Sequence, residues 1–376
     1  MPQPLIIVGA YTRSAAQSAI RAGFTPWCID LFADRDLQEI AATQVCPLQF
    51  FPQALVTLLS DAPSEAPVLL TGPLENEPDL LDVAFSGRSY LTSQPAAIRS
   101  VRDPMALSLL PATPGLRYCK TRTELSLMSR LSRSVFGQWG RTRHLLKSRF
   151  SGGGIGIQWW EPDRPIGPDQ YLQQFVRGSA LSAVYWADGW SCLLLGTTEQ
   201  LIGESSFGAT GFRYCGSIGP TVLSQSARAA LSHLGVQLTQ QHDLRGVFGV
   251  DLVMDFSGTL WPVEINPRYV SSIEVLERAE SIASLSTTPM GPRTAQQSHR
   301  MVGKAIVYAR RDLEAFDLYD LFSKDEVADV PQIGRSIPIG WPICSVFASG
   351  QTREECFNKL QQLTQKLYEK CSPNVG

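Results

Sequence analysis

The chain has 376 residues, more than one hydrophobic core usually organises, so two or three domains are expected. An apolar fraction of 44% with 18% charged residues fits a globular protein, and a formal charge of -2 gives no reason to expect affinity for nucleic acid or an anionic membrane. The opening MPQPLIIVGAY has neither a basic start nor a long apolar run, which speaks against a signal peptide or a spanning helix.

Residues 1–101 alternate strand and helix. PLIIVGAY reads as a buried strand, TRSAAQSAIRAG as a helix stopped by Gly23, and TPWCIDL and APVLLTGP as later strands. This is the pattern of a parallel sheet, in which ligands meet the carboxyl ends of the strands. The first turn, GAYTRS, is not a G-x-G-x-x-G fingerprint, although Asp30 closes the second strand where a ribose-binding acid would stand. TGPLENEP is another strand-end loop, readable as a solvated turn or as a substrate contact. In RDPMALSLL, Asp103 and Pro104 read as the cap and first residue of a short helix, and RTELSLMSRLS reads as a second helix. From Arg117 to Arg149 there are nine Lys or Arg residues against Glu124 alone, a basic face that suits either solvent or a polyanion.

The strand RHLLKSRF then enters the loop SGGGIG. Further strands are read in IGIQWW, DQYLQQFVRG, SALSAVYWADG, WSCLLLGTTEQLIG and FRYCGSIGP, and a helix in SQSARAALSHLGVQL. GVFGVDLVMDFSGTLWPVEINPRY is a hairpin. Residues 286–300 read as a polar linker, and 301–376 as a small β-rich domain closed by the helix TREECFNKLQQLTQKLYEK. The middle domain is expected over 102–285, with a flap over about 140–205. Eight scattered cysteines without a C-x-x-C pair, and four histidines without ligand spacing, fit reduced thiols in a cytoplasmic protein and argue against zinc.

Two stretches carry chemistry. A phosphate-binding P-loop has its lysine after the glycines and a helix next. Here Lys147 precedes Gly152, Gly153 and Gly154, and strand-like sequence follows. The loop is therefore a flap whose bare backbone can approach phosphate oxygens. In the hairpin, Glu264 and Asn266 are two apart and share a face. A two-residue turn at Phe256 and Ser257 would set Asp251 opposite Pro262, on that same face. Three oxygen donors inside apolar strands point to magnesium rather than zinc. Arg268, two residues further on, is either a phosphate-holding guanidinium or a surface arginine. Arg13, Glu75, Asn76 and Ser217 sit on loops expected to face the cleft and meet substrate, Arg13 being readable also as a surface arginine, and Glu274 is either a helper or part of a helix start.

Lys147, the loop 151–156, LQQFVRG, Asp251 and EINPR resemble, in order and spacing, the ATP-grasp superfamily, most nearly predicted carboligases related to biotin carboxylase. VGAYTRSAAQSAIRAG and GKAIVYA extend the resemblance along nearly the whole chain. It implies an ATP-grasp fold of mixed α/β and α+β class, with a Rossmann-like N-terminal domain and a small C-terminal domain. It implies ATP with Mg2+, or Mn2+ as an alternative, held by Asp251, Glu264 and Asn266. Lys147, Ser151 and the flap glycines would meet the phosphates, and Arg268 the reacting phosphate. Gln173 or Gln174, with the backbone of Phe175 and Val176, would meet adenine. Two positions depart from the pattern: Arg102 stands near the usual first nucleotide lysine, and Ala180 near the acid that usually grips ribose. The implied activity is ATP-dependent carboxylate–amine ligation through an acyl phosphate, with a small-molecule acid and amine as partners and a homodimer as an admissible assembly. Similar amino-acid ligases serve one-carbon, methanopterin-type coenzyme pathways. A bicarbonate-dependent carboxylase and a non-catalytic nucleotide-binding regulator stay open as other readings.

Overall fold

The computed structural model describes residues 2–124, 143–161, 164–280, 284–285 and 300–371. Most of the predicted helix RTELSLMSRLS, much of the basic run and nearly all of the linker 286–300 lie outside the described residues. Among the described residues no helix is long and apolar enough to cross a membrane.

The N-terminal unit is a parallel sheet of β1 (Gln3–Val8), β2 (Phe24–Asp30), β3 (Ala42–Val45) and β4 (Val68–Leu70), in the order β3-β2-β1-β4. β1 is apolar throughout because both its faces are covered. Leu5 and Ile7 pack with Ala15, Ala16 and Ala19 of the helix Arg13–Arg21, whose small side chains let it lie close. Ile6 and Val8 enter the opposite core with Leu55, Leu59 and Leu81. All four strand residues are fully buried, each contributing on the order of 1.5–3 kcal/mol. Asp30 accepts from the N–H and hydroxyl of Thr12 at 2.7 and 2.8 Å and from the N–H groups of Phe32 and Ala33 at 2.8 and 2.9 Å. It ties two strand-end loops together and is not a free acid for ribose.

A second sheet of four strands contains β5 (Thr121–Arg122), β6 (His144–Ser148), β7 (Gln158–Trp159) and β8 (Gln170–Gln174), in the order β5-β8-β6-β7. The expected flap of 140–205 is too long. β9 (Gly178–Asp188) and β10 (Cys192–Ile202) leave it for a sheet of eight strands. That sheet adds β11 (Tyr214–Gly219), β12 (Arg245–Asp255), β13 (Leu260–Asn266), β14 (Met301–Tyr308), β16 (Val327–Ala328) and β18 (Pro342–Gly350), in the order β13-β12-β9-β10-β11-β14-β18-β16. A small pair, β15 (Leu313–Glu314) and β17 (Ser336–Ile337), stands apart. The helix Gln225–His242, capped by Ser224 accepting the Ala227 N–H at 3.2 Å, packs Leu231, Leu234 and Leu238 onto Tyr185 and Phe248 of the sheet.

The C-terminal residues are not a separate β domain. β14 pairs directly with β11, and Val307, Val346, Cys356, Leu360 and Leu367 share one core with Leu201, Phe207 and Ile218. Before the middle unit, the helix lies one step earlier than expected. It runs Pro95–Arg102, and Asp103 accepts the Met105 N–H at 2.8 Å ahead of a short 3-10 turn, Ala106–Leu109.

Candidate active site

The hairpin β12–β13 brings the predicted acids together by a different register. Asp255 accepts from the N–H and hydroxyl of Ser257 at 2.9 and 2.6 Å, from the Thr259 N–H at 3.1 Å and from the Trp261 indole at 2.8 Å. These bonds build a longer turn than two residues. A bulge after Asp251 then places it opposite Glu264, not Pro262. Positions 262 and 264 share a face, so the three side chains still converge. Asn266 Nδ2 donates to Asp251 Oδ2 at 3.1 Å, and Gln200 Nε2 donates to Asp251 Oδ1 at 2.9 Å. Burial, and then the charge of Glu264, push Asp251 up to about 6. Burial also opposes ionisation of Glu264, but Lys147 and Arg102 outweigh it and hold its pKa below the ordinary value.

Among the described residues no group of three or more His, Cys, Asp or Glu side chains forms a metal cage. Two carboxylates and an amide oxygen on one face are hard donors of the kind Mg2+ takes when phosphate oxygens complete its shell. A cation beside Asp251 and Glu264 would also relieve the repulsion that raises Asp251. The residues fit the ion.

Cations from two other elements meet Glu264. Arg102, at the end of its helix, donates to Glu264 Oε1 at 2.9 Å, to Asn76 Oδ1 at 2.7 Å and to the carbonyls of Arg149 and Ser151 at 2.9 and 3.2 Å. Lys147, buried on β6, lies 3.9 Å from Glu264 Oε2 and donates to Gln173 Oε1 at 3.3 Å. Burial disfavours its charge, yet Tyr171 and Glu264 carry its pKa above the usual lysine value. Gln173 in turn donates to the Val263 carbonyl at 3.0 Å, so the four-stranded sheet is fastened to the hairpin and the cleft between them holds only about 30 Å³. Gln173 is therefore engaged rather than open. The Gln174 N–H bonds the Lys120 carbonyl at 2.9 Å and the Phe175 N–H bonds the Arg143 carbonyl at 2.9 Å, while Val176 is half-buried beyond them.

The glycine loop is closed. The Gly153 carbonyl accepts the Tyr214 N–H at 3.0 Å. Gly154 has φ +76°, and a Cβ there would meet the Phe212 carbonyl oxygen at 1.8 Å, so only glycine allows the approach. Gly152 has open space around it. Beneath the loop is a cavity of about 540 Å³, reached by Ser151, Gly152, Gly153, Asn76 and Arg268. Arg268 is held by Glu75 Oε1 at 2.8 Å, the Tyr269 carbonyl at 3.1 Å and Asn266 Oδ1 at 3.4 Å. Its guanidinium packs on Gly72, where a Cβ would lie 2.9 Å from Cζ.

Three of the four expected substrate residues do not line this cavity. Glu75 is buried and positions Arg268. Ser217 is fully buried on β11, with its hydroxyl 2.9 Å from that of Tyr214. Arg13 is buried against Asp329 at 2.7 Å, Glu274 at 2.8 Å and Asp36 at 3.4 Å. Glu274 also takes Lys304 at 2.8 Å, so it is paired with cations from two units. Lys304 was missed, although a lysine inside the apolar run GKAIVYA is the same signal that marked Asp251. Gln200 was missed for want of any signal, since the pairing of β10 with its neighbours joins it to Asp251 only in three dimensions.

Residues 128–272 match the family model of the ATP-grasp domain. No curated protein matches the chain. Among solved structures, the chain is similar to the biotin carboxylase domain of 2-oxoglutarate carboxylase from Hydrogenobacter thermophilus, a dimer in complex with MgADP, ADP and bicarbonate. The TM-score is 0.72 at 13% identity, covering 96% of this chain and 89% of that one. It is also similar to the L-amino acid ligase of Bacillus licheniformis, at TM-score 0.66 and 14% identity over 97% of each chain. The N5-carboxyaminoimidazole ribonucleotide synthetase of Thermotoga maritima matches at TM-score 0.65 and 13% identity over 97% and 98%. At such identities the likeness is one of fold. Residues 128–272 thus match the ATP-grasp domain, and the fold shared with these structures runs along nearly the whole chain.

Proposed function

We propose that the protein is an ADP-forming, ATP-dependent ligase that joins a carboxylic acid to an amine. The observation that supports this best is the meeting of Asp251, Glu264 and Asn266 with Arg102, Lys147 and Arg268, the last of which lines the roofed cavity. The similarity to an amino acid ligase and to a ribonucleotide synthetase points the same way. Asp251, Glu264 and Asn266 would hold Mg2+ or Mn2+, which spreads the charge of the phosphate groups.

The chain's own residues do the rest. Lys147 and Arg102 balance Glu264 now, and phosphate oxygens would draw on the same two cations. Adenine would lie at the exit of β8, beside Gln174, Phe175 and Val176. A carboxylate oxygen of the acid attacks the γ-phosphorus and ADP leaves. The amine nitrogen then attacks the acyl carbon, phosphate leaves, and the nitrogen loses a proton to give the amide. Arg268, held by Glu75 and Asn266, needs no reorientation to stabilise charge developing on the transferred group. The closed glycine loop keeps water from the acyl phosphate.

ADP release with panels of acids and amines tests the reading. Release that requires both an acid and an amine is expected. Bicarbonate-dependent release without an amine would instead make the protein a carboxylase, and nucleotide binding with no stimulated release a regulator. A place in one-carbon, methanopterin-type coenzyme synthesis is the finer part of the proposal, so acids and amines of such pathways belong in the panel.

A further inference from the structure

The cavity under the glycine loop is far larger than bicarbonate needs. Its volume of about 540 Å³ falls in the range of about 300–1,000 Å³ that small organic ligands occupy. One wall is a run of three rings contributed by the N-terminal sheet's loops and the C-terminal strands. Tyr11 stacks on Phe32 at 5.1 Å, and Phe32 meets Trp341 edge-on at 6.2 Å. All three line the cavity, and Tyr11 keeps 52% of its surface accessible. Phe32 also carries the Arg335 guanidinium over its ring at 4.6 Å, so Tyr11 and Trp341 are the rings that offer an apolar or aromatic body a place to stack.

The charges around the cavity are mostly answered within the protein. Lys304 pairs with Glu274 at 2.8 Å, Asp329 with Arg13 at 2.7 Å, Arg335 with Asp34 at 3.5 Å and Arg268 with Glu75 at 2.8 Å. Arg213 differs. It is half-buried, it lines the cavity, and its guanidinium lies 3.7 Å from the centroid of the Tyr308 ring. Among the described residues it has no carboxylate partner. A guanidinium oriented by a ring and lacking a counter-charge is a receptor for a carboxylate. It also directly follows Phe212, the residue on which Gly154 packs, so an anion held there would lie beside the glycine loop.

We infer that the acid substrate is an aromatic, or comparably bulky apolar, carboxylate, held at its charged end by Arg213 and along its body by Tyr11 and Trp341, with Phe32 between them. For the fate of that acid the inference rests on the ligase reading; for its binding it does not. Isothermal titration of the full chain with 3-phenylpropionate, without nucleotide, is the test, with propionate, 3-phenylpropanamide and bicarbonate as comparisons. Saturable binding of 3-phenylpropionate, about tenfold tighter than that of each comparison, is expected. Arg213→Gln should weaken 3-phenylpropionate about tenfold and leave the amide unchanged, with Arg213→Lys recovering part of the loss. Trp341→Ala should weaken both phenyl compounds. Propionate binding as tightly as 3-phenylpropionate, or an unchanged affinity in Arg213→Gln, would overturn the inference. The two readings fail separately. ADP release with other acids and no binding of 3-phenylpropionate removes the inference and spares the ligase. Binding through Arg213, with no ADP release for any acid and amine, does the reverse.

Discussion

Glu264 is met by cations from two other elements, Arg102 and Lys147. Glu264→Gln keeps the shape but removes the charge. Metal-dependent ATP turnover should fall about a hundredfold or more, while the circular dichroism spectrum stays that of the native fold. Undiminished turnover would contradict the assignment. Glu274 makes a different prediction. Burial opposes its charge, but Arg13, Lys304 and Arg278 hold its pKa well below 4.5. The depressed value means that its contribution to stability is present above about 4.5 and is lost as pH falls toward the folded-state value. Glu274→Gln should therefore be less stable than the parent near neutral pH, and urea unfolding should show the gap closing below about pH 4.5. A gap independent of pH would contradict this. Asp251 and Glu264 were legible in the sequence because acids stood inside apolar strands. The partners of Arg13 were not, since Glu274 and Asp329 lie 261 and 316 positions away.

The glycine loop and the hairpin are the elements that shape the site. Gly154→Ala would force a Cβ into the Phe212 carbonyl at a positive φ, whereas Gly152→Ala meets nothing. The first should displace the loop and raise the KM for ATP about tenfold or more, and the second should change it little. Equal effects in steady-state kinetics would show that the loop does not close against Phe212 during turnover. The sequence made the hairpin visible but not its turn, whose length follows from the side-chain bonds of Asp255. The face survived this error because the register moved by two residues, a full period of a strand. The flap boundary was misplaced for a related reason. β9 reads as an apolar strand like its predecessors, and only its pairing with β12 and β10 assigns it to the larger sheet.

Across the whole molecule, the N-terminal parallel sheet was readable from alternating elements, but the docking of the C-terminal strands onto the larger sheet was not. The C-terminal segment supplies the strands that follow β11 and most of the core around Val307 and Leu360. A chain ending at residue 299 should lose that core and show no cooperative thermal transition, whereas a sharp melt like that of the full chain would mean that the C-terminal strands are dispensable. Arg13 and Lys304 bind Glu274 from opposite units, and Trp341 and Phe32 meet in one wall of the cavity, so the cavity depends on the same docking. The central claim is that Asp251, Glu264 and Asn266 hold the divalent cation that positions the triphosphate. Anomalous scattering from a crystal grown with Mn2+ and a non-hydrolysable ATP analogue tests it most directly. A manganese peak shared by these three side chains and the phosphate oxygens is predicted, and a nucleotide bound with its manganese away from β12 and β13 would contradict the account.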